Sequence, residues 1–239
     1  MTKSVKTISC IIPAYNEEQR ISNVLKIVSI HPKIDEVIVV DDGSSDKTYD
    51  EAIKYESTKF KVIKHAKNRG KSEAFKTGFM MSTGEIILTL DSDLMGLNCQ
   101  NIDTIINPLD HFDCMTLAYW KDFHLSIKLT GIPIWSGMRA IPRYLFEKAL
   151  QYSDSGYVFE SILNKVAIAD SIPIYVETWD NVTHVRKTKK AGIVSGTKGY
   201  IKMYSEIFSK TPIPEIMYQF MIMNISNRKT KKLLNKEMQ

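Results

Sequence analysis

Cysteine is scarce in this chain. The 239 residues contain three, Cys10, Cys99 and Cys114. No two of them have the C-x-x-C spacing that zinc sites and redox-active pairs use, so the sequence argues against both kinds of site. We interpret the three thiols as free, which is typical of proteins in a reducing compartment.

Long apolar runs are also missing. No run reaches the length of about 18 residues that indicates a membrane span. The basic residues at 1–6 lead into a strand-length apolar stretch and not into a signal-peptide core. The sequence contains no internal repeat, low-complexity tract or linker rich in Pro and Gly. We therefore expect a cytoplasmic protein with one large domain and a C-terminal extension.

Acidic residues are few near the C-terminus. Residues 181–239 contain 12 Lys and Arg against 3 Asp and Glu, a net charge of +9, whereas residues 1–180 contain 20 against 24, or −4. A basic segment after an acidic body favours an anionic partner, such as a nucleoside diphosphate, a phospholipid surface or nucleic acid. A solvated charged face is the alternative. No nucleic-acid recognition module accompanies the segment, so nucleic acid is not an expected partner.

The most informative stretch is residues 85–93, an apolar run that ends in two carboxylates, Asp91 and Asp93. Continuous apolar character is typical of a strand buried on both faces of a parallel sheet. Two carboxylates at a strand end repel each other unless a cation lies between them. Mg²⁺ and Mn²⁺ accept ligands from one or two carboxylates and from substrate phosphates, so the pattern favours a divalent metal bound with a diphosphate.

Strand and helix patterns alternate over the first 93 residues, which predicts an α/β fold with a doubly wound, mostly parallel sheet and helices on both faces. Right-handed crossovers then bring the strand ends to one edge. Four turns are expected to converge there: residues 13–15, 41–42, 68–71 and 91–93.

The second half is less regular. The patterns predict a strand at 112–120, a strand or loop at 135–141, helices at 142–150 and 156–169, and a strand at 172–178. Two helices, 193–209 and 213–235, close the chain. The last begins apolar and ends basic, which suits an anionic membrane surface, although an apolar stripe is more often core or an oligomer contact.

Five motifs in this order and spacing resemble glycosyltransferase family 2: residues 11–17, 39–46, 68–71, 83–85 and 91–93. The resemblance implies the GT-A fold, a nucleoside-diphosphate-sugar donor of the UDP or GDP type, and Mg²⁺ or Mn²⁺. It also implies that the donor is bound by eight residues, with Asp42 at the base: Pro13, Ala14, Tyr15, Glu17, Asp42, Lys71, Asp91 and Ser92. Asp91 would face ribose or metal, and Asp93 would be the direct metal ligand.

The later part resembles, more weakly, the acceptor side of glucosyl-3-phosphoglycerate synthases and polyprenyl-phosphate sugar transferases. By that resemblance Glu160 is the first candidate for the catalytic base, ahead of Asp122 and Asp154, and His184 completes the metal site. Arg139 is a second candidate catalytic residue. Four residues are expected to bind phosphate or the acceptor: Ser136, Gly137, Arg186 and Lys187.

These inferences predict a metal-dependent glycosyltransferase that acts on a small phosphorylated or lipid-linked acceptor. Residues 1–100 would form the donor half, residues 101–210 the acceptor half, and residues 211–239 a basic amphipathic helix. That helix could place the protein on the inner face of the membrane or form a homodimer. A non-catalytic binding module and a sugar-phosphate nucleotidyltransferase are alternatives, but the latter needs a glycine-rich signature after the first strand, which residues 13–17 lack.

Overall fold

The computed structural model describes residues 6–120, 134–152, 159–184, 205 and 208–237. Within them, the strands are β1 Ile8–Ala14, β2 Glu36–Asp41, β3 Phe60–Lys64, β4 Ile86–Thr89, β5 Leu94–Met95, β6 Met115–Trp120, β7 Arg139–Pro142, β8 Ile174–Trp179 and β9 Thr183–His184. The helices are α1 Ile21–Ile30, α2 Thr48–Ile53, α3 Lys71–Met80, α4 Cys99–Ile106, α5 Pro108–His111, α6 Arg143–Leu150, α7 Phe159–Ala169 and α8 Ile213–Glu237.

Seven strands form one sheet in the order β3-β2-β1-β4-β7-β6-β8. Pairing is parallel between β3 and β2, β2 and β1, β1 and β4, and β6 and β8. Only β7 among these strands of the described chain runs antiparallel to both neighbours, β4 and β6. The predicted mostly parallel sheet is therefore confirmed, with one reversed strand between its two halves.

Helices cover both faces of the sheet. Successive side chains of a strand point to opposite sides, so each strand contributes to the core on either face. On β1, Cys10 and Ile12 pack into a core formed with α1 and α4, which includes Leu25 and Ile105. Ile11 packs into the opposite core with α3, α6, α7 and α8. Two cores on either side of one sheet are the arrangement expected of a doubly wound fold.

The parallel strands β1, β2 and β4 end at the same edge. The amide of Asp42 donates to the carbonyl of Ala14 at 2.8 Å, and the amide of His65 donates to the carbonyl of Asp41 at 2.9 Å. These bonds continue the strand ladders into the loops. After β4, the amide of Leu90 donates to the carbonyl of Ile11 in β1 at 3.3 Å, so the ends of β1, β2 and β4 lie together as predicted.

A second, two-stranded sheet lies beyond β4. Its strands β5 and β9 are antiparallel, with Leu94 opposite His184 and Met95 opposite Thr183. Each strand has only two residues, too few for a hydrophobic pattern to reveal it in the sequence. This small sheet connects the segment after Asp93 to the segment that follows β8.

Helix α8 covers the outer edge of the main sheet. β8 is the edge strand, and the amides of Ile174 and Val176 donate to Ser226 Oγ and Asn227 Oδ1, each at 2.9 Å. Side chains of α8 thus satisfy backbone groups that an edge strand otherwise leaves open. None of the helices in the described ranges is both long and apolar enough to cross a membrane.

Most element boundaries lie within a few residues of the expected ones. Helix α3 begins at Lys71, directly after Gly70, which has a φ of 95° and ends the preceding loop. The segment expected as strand or loop at 135–141 contains strand β7. The helix predicted at 193–209 falls almost entirely outside the described residues.

Candidate active site

The loops after β1 and β2 are joined to each other. Asn16, with φ 57°, donates its amide to Ser44 Oγ at 2.9 Å and accepts the amide of Ser45 at Oδ1, also 2.9 Å. Left-handed backbone is tolerated by asparagine better than by most residues. Beside this junction, Tyr15 is 47% exposed. The hydrogen bonds between the two loops thus hold the backbone beside the exposed ring of Tyr15.

Three other predicted donor residues in this region are buried. Pro13 and Ala14 lie inside the end of β1, and Glu17 is 7% exposed. The carboxylate of Glu17 pairs with Arg20, while its amide donates to Thr48 Oγ1 at 2.7 Å. These side chains shape the loop from within, so any contact they make with a ligand comes from backbone or from a small exposed surface.

Asp42 anchors the loop that precedes α3. Its Oδ1 accepts from His65 Nδ1 at 2.7 Å and from the amide of Arg69 at 3.0 Å, and its Oδ2 accepts from the amide of Gly70 at 2.8 Å. A carboxylate oxygen can accept two hydrogen bonds, so Oδ2 retains one acceptor position. Asp42 is 3% exposed, so it mainly holds the loop, and only this Oδ2 position could accept a bond from a ligand.

Lys71 joins the two halves of the site. Its Nζ lies 2.8 Å from Asp91 Oδ1, at the end of β4, and 3.1 Å from Glu160 Oε1, in the first turn of α7. Burial by itself lowers the pKa of Lys71, but the two carboxylates outweigh burial and hold its pKa above the usual value. The lysine is therefore a cation held between a carboxylate at the end of β4 and a carboxylate in α7.

Gly137 lies directly against this ion-pair cluster. A Cβ added there would lie 2.5 Å from Lys71 Nζ and closer still to Asp91 Oδ1. The Gly137 carbonyl accepts from Thr89 Oγ1 at 2.7 Å, which fixes the loop to β4. Beside it, Ser136 is buried and donates from Oγ to the carbonyl of Ala118. A larger residue at position 137 would displace the side chains of Lys71 or Asp91.

Arg139 is 1% exposed and holds the same loop from inside. Its guanidinium donates to the carbonyls of Ser136 at 2.7 Å and Ile134 at 2.8 Å, and to Asn164 Oδ1 at 2.7 Å. Burial lowers the pKa of Arg139 to about 10, with the charge of Glu160 acting in the opposite direction. In this geometry the buried guanidinium of Arg139 holds the loop that contains Ser136 and Gly137.

The predicted metal ligands lie on neighbouring segments. Asp93 directly precedes β5, and His184 is opposite Leu94 on β9, with its ring centroid 4.3 Å from that of Trp120. Among the described residues, no group of three or more His, Cys, Asp or Glu side chains is arranged to hold a metal ion. A metal bound together with a diphosphate needs fewer protein ligands, since phosphate oxygens supply the rest.

The side chains present fit such an ion. Asp91 and Asp93 supply carboxylate oxygens and His184 an imidazole, ligands that Mn²⁺ and Mg²⁺ sites use. Ser92, between the two aspartates, is buried.

Several predicted residues lie outside the described part of the chain. They are the two basic candidates for phosphate or acceptor binding and the two weaker candidates for the base, Arg186, Lys187, Asp122 and Asp154. The roles given to them remain predictions from the sequence.

The fold and the motifs at the strand ends can be compared with those of known protein families. Residues 9–95 match the family model described as Glycosyl transferase family 2. This range covers β1 to β5 and includes Asp42, Lys71, Asp91 and Asp93. The resemblance inferred from the motifs is therefore confirmed for residues 9–95.

Two relatives of known activity extend this finding. The chain is 27% identical over 181 residues to the dodecaprenyl-phosphate galacturonate synthase of Rhizobium johnstonii, covering 72% of this chain and 53% of the relative. It is 43% identical over 101 residues to human dolichyl-phosphate beta-glucosyltransferase, covering 37% of this chain and 31% of the relative. The chain thus spans about half or less of the length of either protein.

Among solved structures, the chain is similar to glucosyl-3-phosphoglycerate synthase of Mycobacterium tuberculosis in complex with Mn²⁺, UDP and phosphoglyceric acid. The TM-score is 0.66 at 21% identity, covering 90% of this chain and 78% of that one. Another structure of the same synthase contains Mg²⁺ and UDP. The similarity establishes the GT-A fold over 90% of the chain.

The sequence did not reveal the contacts that join distant segments of the site. Lys71 meets Glu160 across 89 positions, and Asn101 bonds to Asn181 across 80 positions. The one local signal was the Asn98-x-x-Asn101 spacing, because Asn98 caps α4 in a capping box with Asn101. This spacing indicates where a helix starts, but it does not indicate that Asn101 bonds to Asn181.

Proposed function

We propose that this chain is a metal-dependent glycosyltransferase that moves a sugar from a nucleoside-diphosphate sugar to a small phosphorylated or lipid-linked acceptor. The observation that carries the proposal is the junction of Lys71 with Asp91 at 2.8 Å and Glu160 at 3.1 Å. It connects the strand end of the family-matching half to the first turn of α7 in the other half. The charged side chains of Lys71, Asp91 and Glu160 would therefore lie where the bound donor and the bound acceptor meet.

For the donor, the exposed ring of Tyr15 would pack on the base, and the remaining acceptor position on Asp42 Oδ2 would receive a base N–H. Pro13, Ala14 and Glu17 would shape the loop around the nucleoside. Lys71 would place its positive charge beside the diphosphate, which a cation stabilises as negative charge develops on it. The relatives' UDP complexes support a donor of the UDP or GDP type.

Asp93, His184 and Asp91 would hold the divalent metal, Mg²⁺ or Mn²⁺. Such an ion, when bound, supplies a Lewis acid for the leaving diphosphate. Support comes from the carboxylate and imidazole ligands on adjacent segments and from the Mn²⁺ and Mg²⁺ complexes of the structurally similar synthase. Ser92 would contribute through the backbone that spaces the two aspartates.

Glu160 would act as the base that takes the proton of the acceptor hydroxyl. It is 6% exposed and 3.1 Å from Lys71 Nζ, so it is held at the junction of the two halves. A base on the acceptor side is what an inverting transfer requires. Arg139 would position the loop of Ser136 and Gly137 that faces the acceptor, and Arg186 and Lys187 would bind its phosphate.

The proposal is tested by measuring nucleoside-diphosphate release from UDP- and GDP-sugars with Mn²⁺, using 3-phosphoglycerate and a short polyprenyl phosphate as acceptors. We expect turnover with one donor and one acceptor. Glu160→Gln should lower kcat by at least about 100-fold, the usual contribution of a general base, without weakening donor binding. Glu147→Gln, an exposed change on α6, is the control. Donor binding without transfer to either acceptor would favour a non-catalytic nucleotide-sugar-binding module.

We also propose that α8 brings the protein to the inner face of a membrane. Its outward face carries exposed apolar side chains followed by basic ones: Ile213, Met217, Tyr218, Met221, Ile225, Arg228, Lys229 and Lys232. Such a face suits anionic lipids, and the dodecaprenyl- and dolichyl-phosphate relatives support a lipid-linked acceptor. In this view residues 1–210 form the catalytic domain and residues 211–239 its membrane-facing extension. A homodimer formed through the same face is the alternative.

A further inference from the structure

Two asparagine side chains connect the segments on either side of the small β5–β9 sheet. Asn101 Nδ2 donates to Asn181 Oδ1 at 3.0 Å, and Asn181 Nδ2 donates back to Asn101 Oδ1 at 3.2 Å. Asn101 is 7% exposed and belongs to the capping box that begins α4. The pair therefore ties the segment before β9 to a fixed helix end.

Gly96 makes the third contact of this clamp, which we define as Gly96, Asn101 and Asn181. Asn181 Nδ2 also donates to the carbonyl of Gly96 at 2.8 Å. Gly96 has φ 78°, and a Cβ there would collide with the carbonyl oxygen of Asn181. The backbone after β5 and the backbone before β9 thus approach each other at a distance that only glycine allows.

The clamp lies next to the predicted metal ligands. Asp93 is three residues before Gly96, and His184 is three residues after Asn181. Strands of two residues supply too few ladder bonds to fix their own register, so β5 and β9 depend on anchors at their ends. The clamp anchors one end, and the contact of His184 with the ring of Trp120 lies at the other.

We propose that Asn101 and Asn181 are positioning residues for the metal site: their reciprocal amide contact, with Gly96, sets the position of His184 relative to Asp93. This inference rests on the proposed function, because it concerns the metal that Asp93 and His184 would hold. Residues that orient a metal ligand without touching the metal typically contribute 10- to 100-fold to metal affinity.

The test measures binding of Mn²⁺ in the presence of saturating UDP, from the electron paramagnetic resonance signal of free Mn²⁺, together with the melting temperature of each variant. Asn181→Ala should weaken Mn²⁺ binding by about 10-fold or more. Asn181→Asp retains the acceptor for Asn101 Nδ2 but loses the donor to both the Gly96 carbonyl and Asn101 Oδ1, so its loss should be intermediate. Asn107→Ala is the matched control, because its side chain bonds to Lys33 at the other end of α4.

The outcomes separate this inference from the proposed function. If His184→Ala loses Mn²⁺ affinity while Asn181→Ala keeps it and only melts earlier, the clamp is merely structural and the inference is wrong. If the wild-type protein does not bind Mn²⁺ with UDP, or His184→Ala binds it as tightly, the metal site itself is wrong and the inference falls with it. Loss of affinity in both variants, with Asn107→Ala unchanged, is the result we expect.

Discussion

At the scale of single residues, Lys71 has the largest electrostatic role that the structure indicates. Removing its charge would leave Asp91 and Glu160 near each other without a cation. Breaking a buried ion pair by removing one partner costs 3–5 kcal/mol, and the side chain of Lys71 is 27% exposed, so we expect Lys71→Met to lose roughly 2 kcal/mol. Urea unfolding at pH 7 measures this loss, with Lys71→Arg retaining most of the stability and the exposed change Lys76→Met as control.

The pH dependence of the stability difference between the wild-type protein and Lys71→Met identifies the cause of that difference. Because the pKa of Lys71 is raised in the folded state, its contribution is complete below the ordinary lysine pKa of about 10.4 and is lost only as pH rises through the raised value. The stability difference between wild type and Lys71→Met should thus be constant from pH 7 to pH 9. A difference that changes between pH 7 and pH 9 would mean that the charge of Lys71 is not its cause.

At the scale of elements, α8 stabilises the edge of the sheet through two side chains. Replacing Ser226 and Asn227 together by alanine leaves the amides of Ile174 and Val176 without their acceptors. An unsatisfied amide costs about 1–3 kcal/mol when buried, so we expect the double variant to lose roughly 2 kcal/mol in urea unfolding. Asn235→Ala, an exposed change on the same helix, should have no effect. An unchanged double variant would mean that water replaces these side chains at the edge.

Some of the secondary-structure elements can be predicted from the sequence, and others cannot. Strands such as β1 and β4 are buried on both faces, so their continuous apolar runs identify them and place the motifs at their ends. The antiparallel direction of β7 leaves no such pattern, because apolar character does not encode strand direction. The two-residue strands β5 and β9 depend on contacts between distant residues and are equally hidden.

At the scale of the whole molecule, the outward face of α8 should bind anionic membranes. We expect the protein to sediment with vesicles of phosphatidylcholine and phosphatidylglycerol but not with phosphatidylcholine alone. Met217→Glu with Met221→Glu should abolish sedimentation, because both side chains are exposed on that face. Met80→Glu, at the exposed end of α3, is the matched control. A dimer in size-exclusion chromatography that the double variant dissociates, without vesicle binding, would favour the homodimer instead.

The active site as a whole could be predicted only in part. Motifs within the first 95 residues identify the part that matches the family model, because most of them lie at the carboxyl ends of strands, which a parallel sheet brings to one edge. The part of the site formed by later residues depends on contacts that no local pattern encodes. Arg139 illustrates this limit: its basic side chain suggests a role in the pocket, whereas its guanidinium bonds to Ser136, Ile134 and Asn164 inside the loop.

The central claim is a donor site that needs a divalent metal held by Asp93, and thermal unfolding tests it most directly. A ligand that binds only the folded state at 100 times its Kd adds about 2.7 kcal/mol, which corresponds to several degrees in Tm. We predict that UDP or GDP raises the Tm of the wild-type protein strongly with Mn²⁺ and little without it. Asp93→Ala should lose the metal-dependent rise, while Asp50→Ala, an exposed change on α2, should keep it. An equal rise in Asp93→Ala, or no rise in the wild type, would contradict the account.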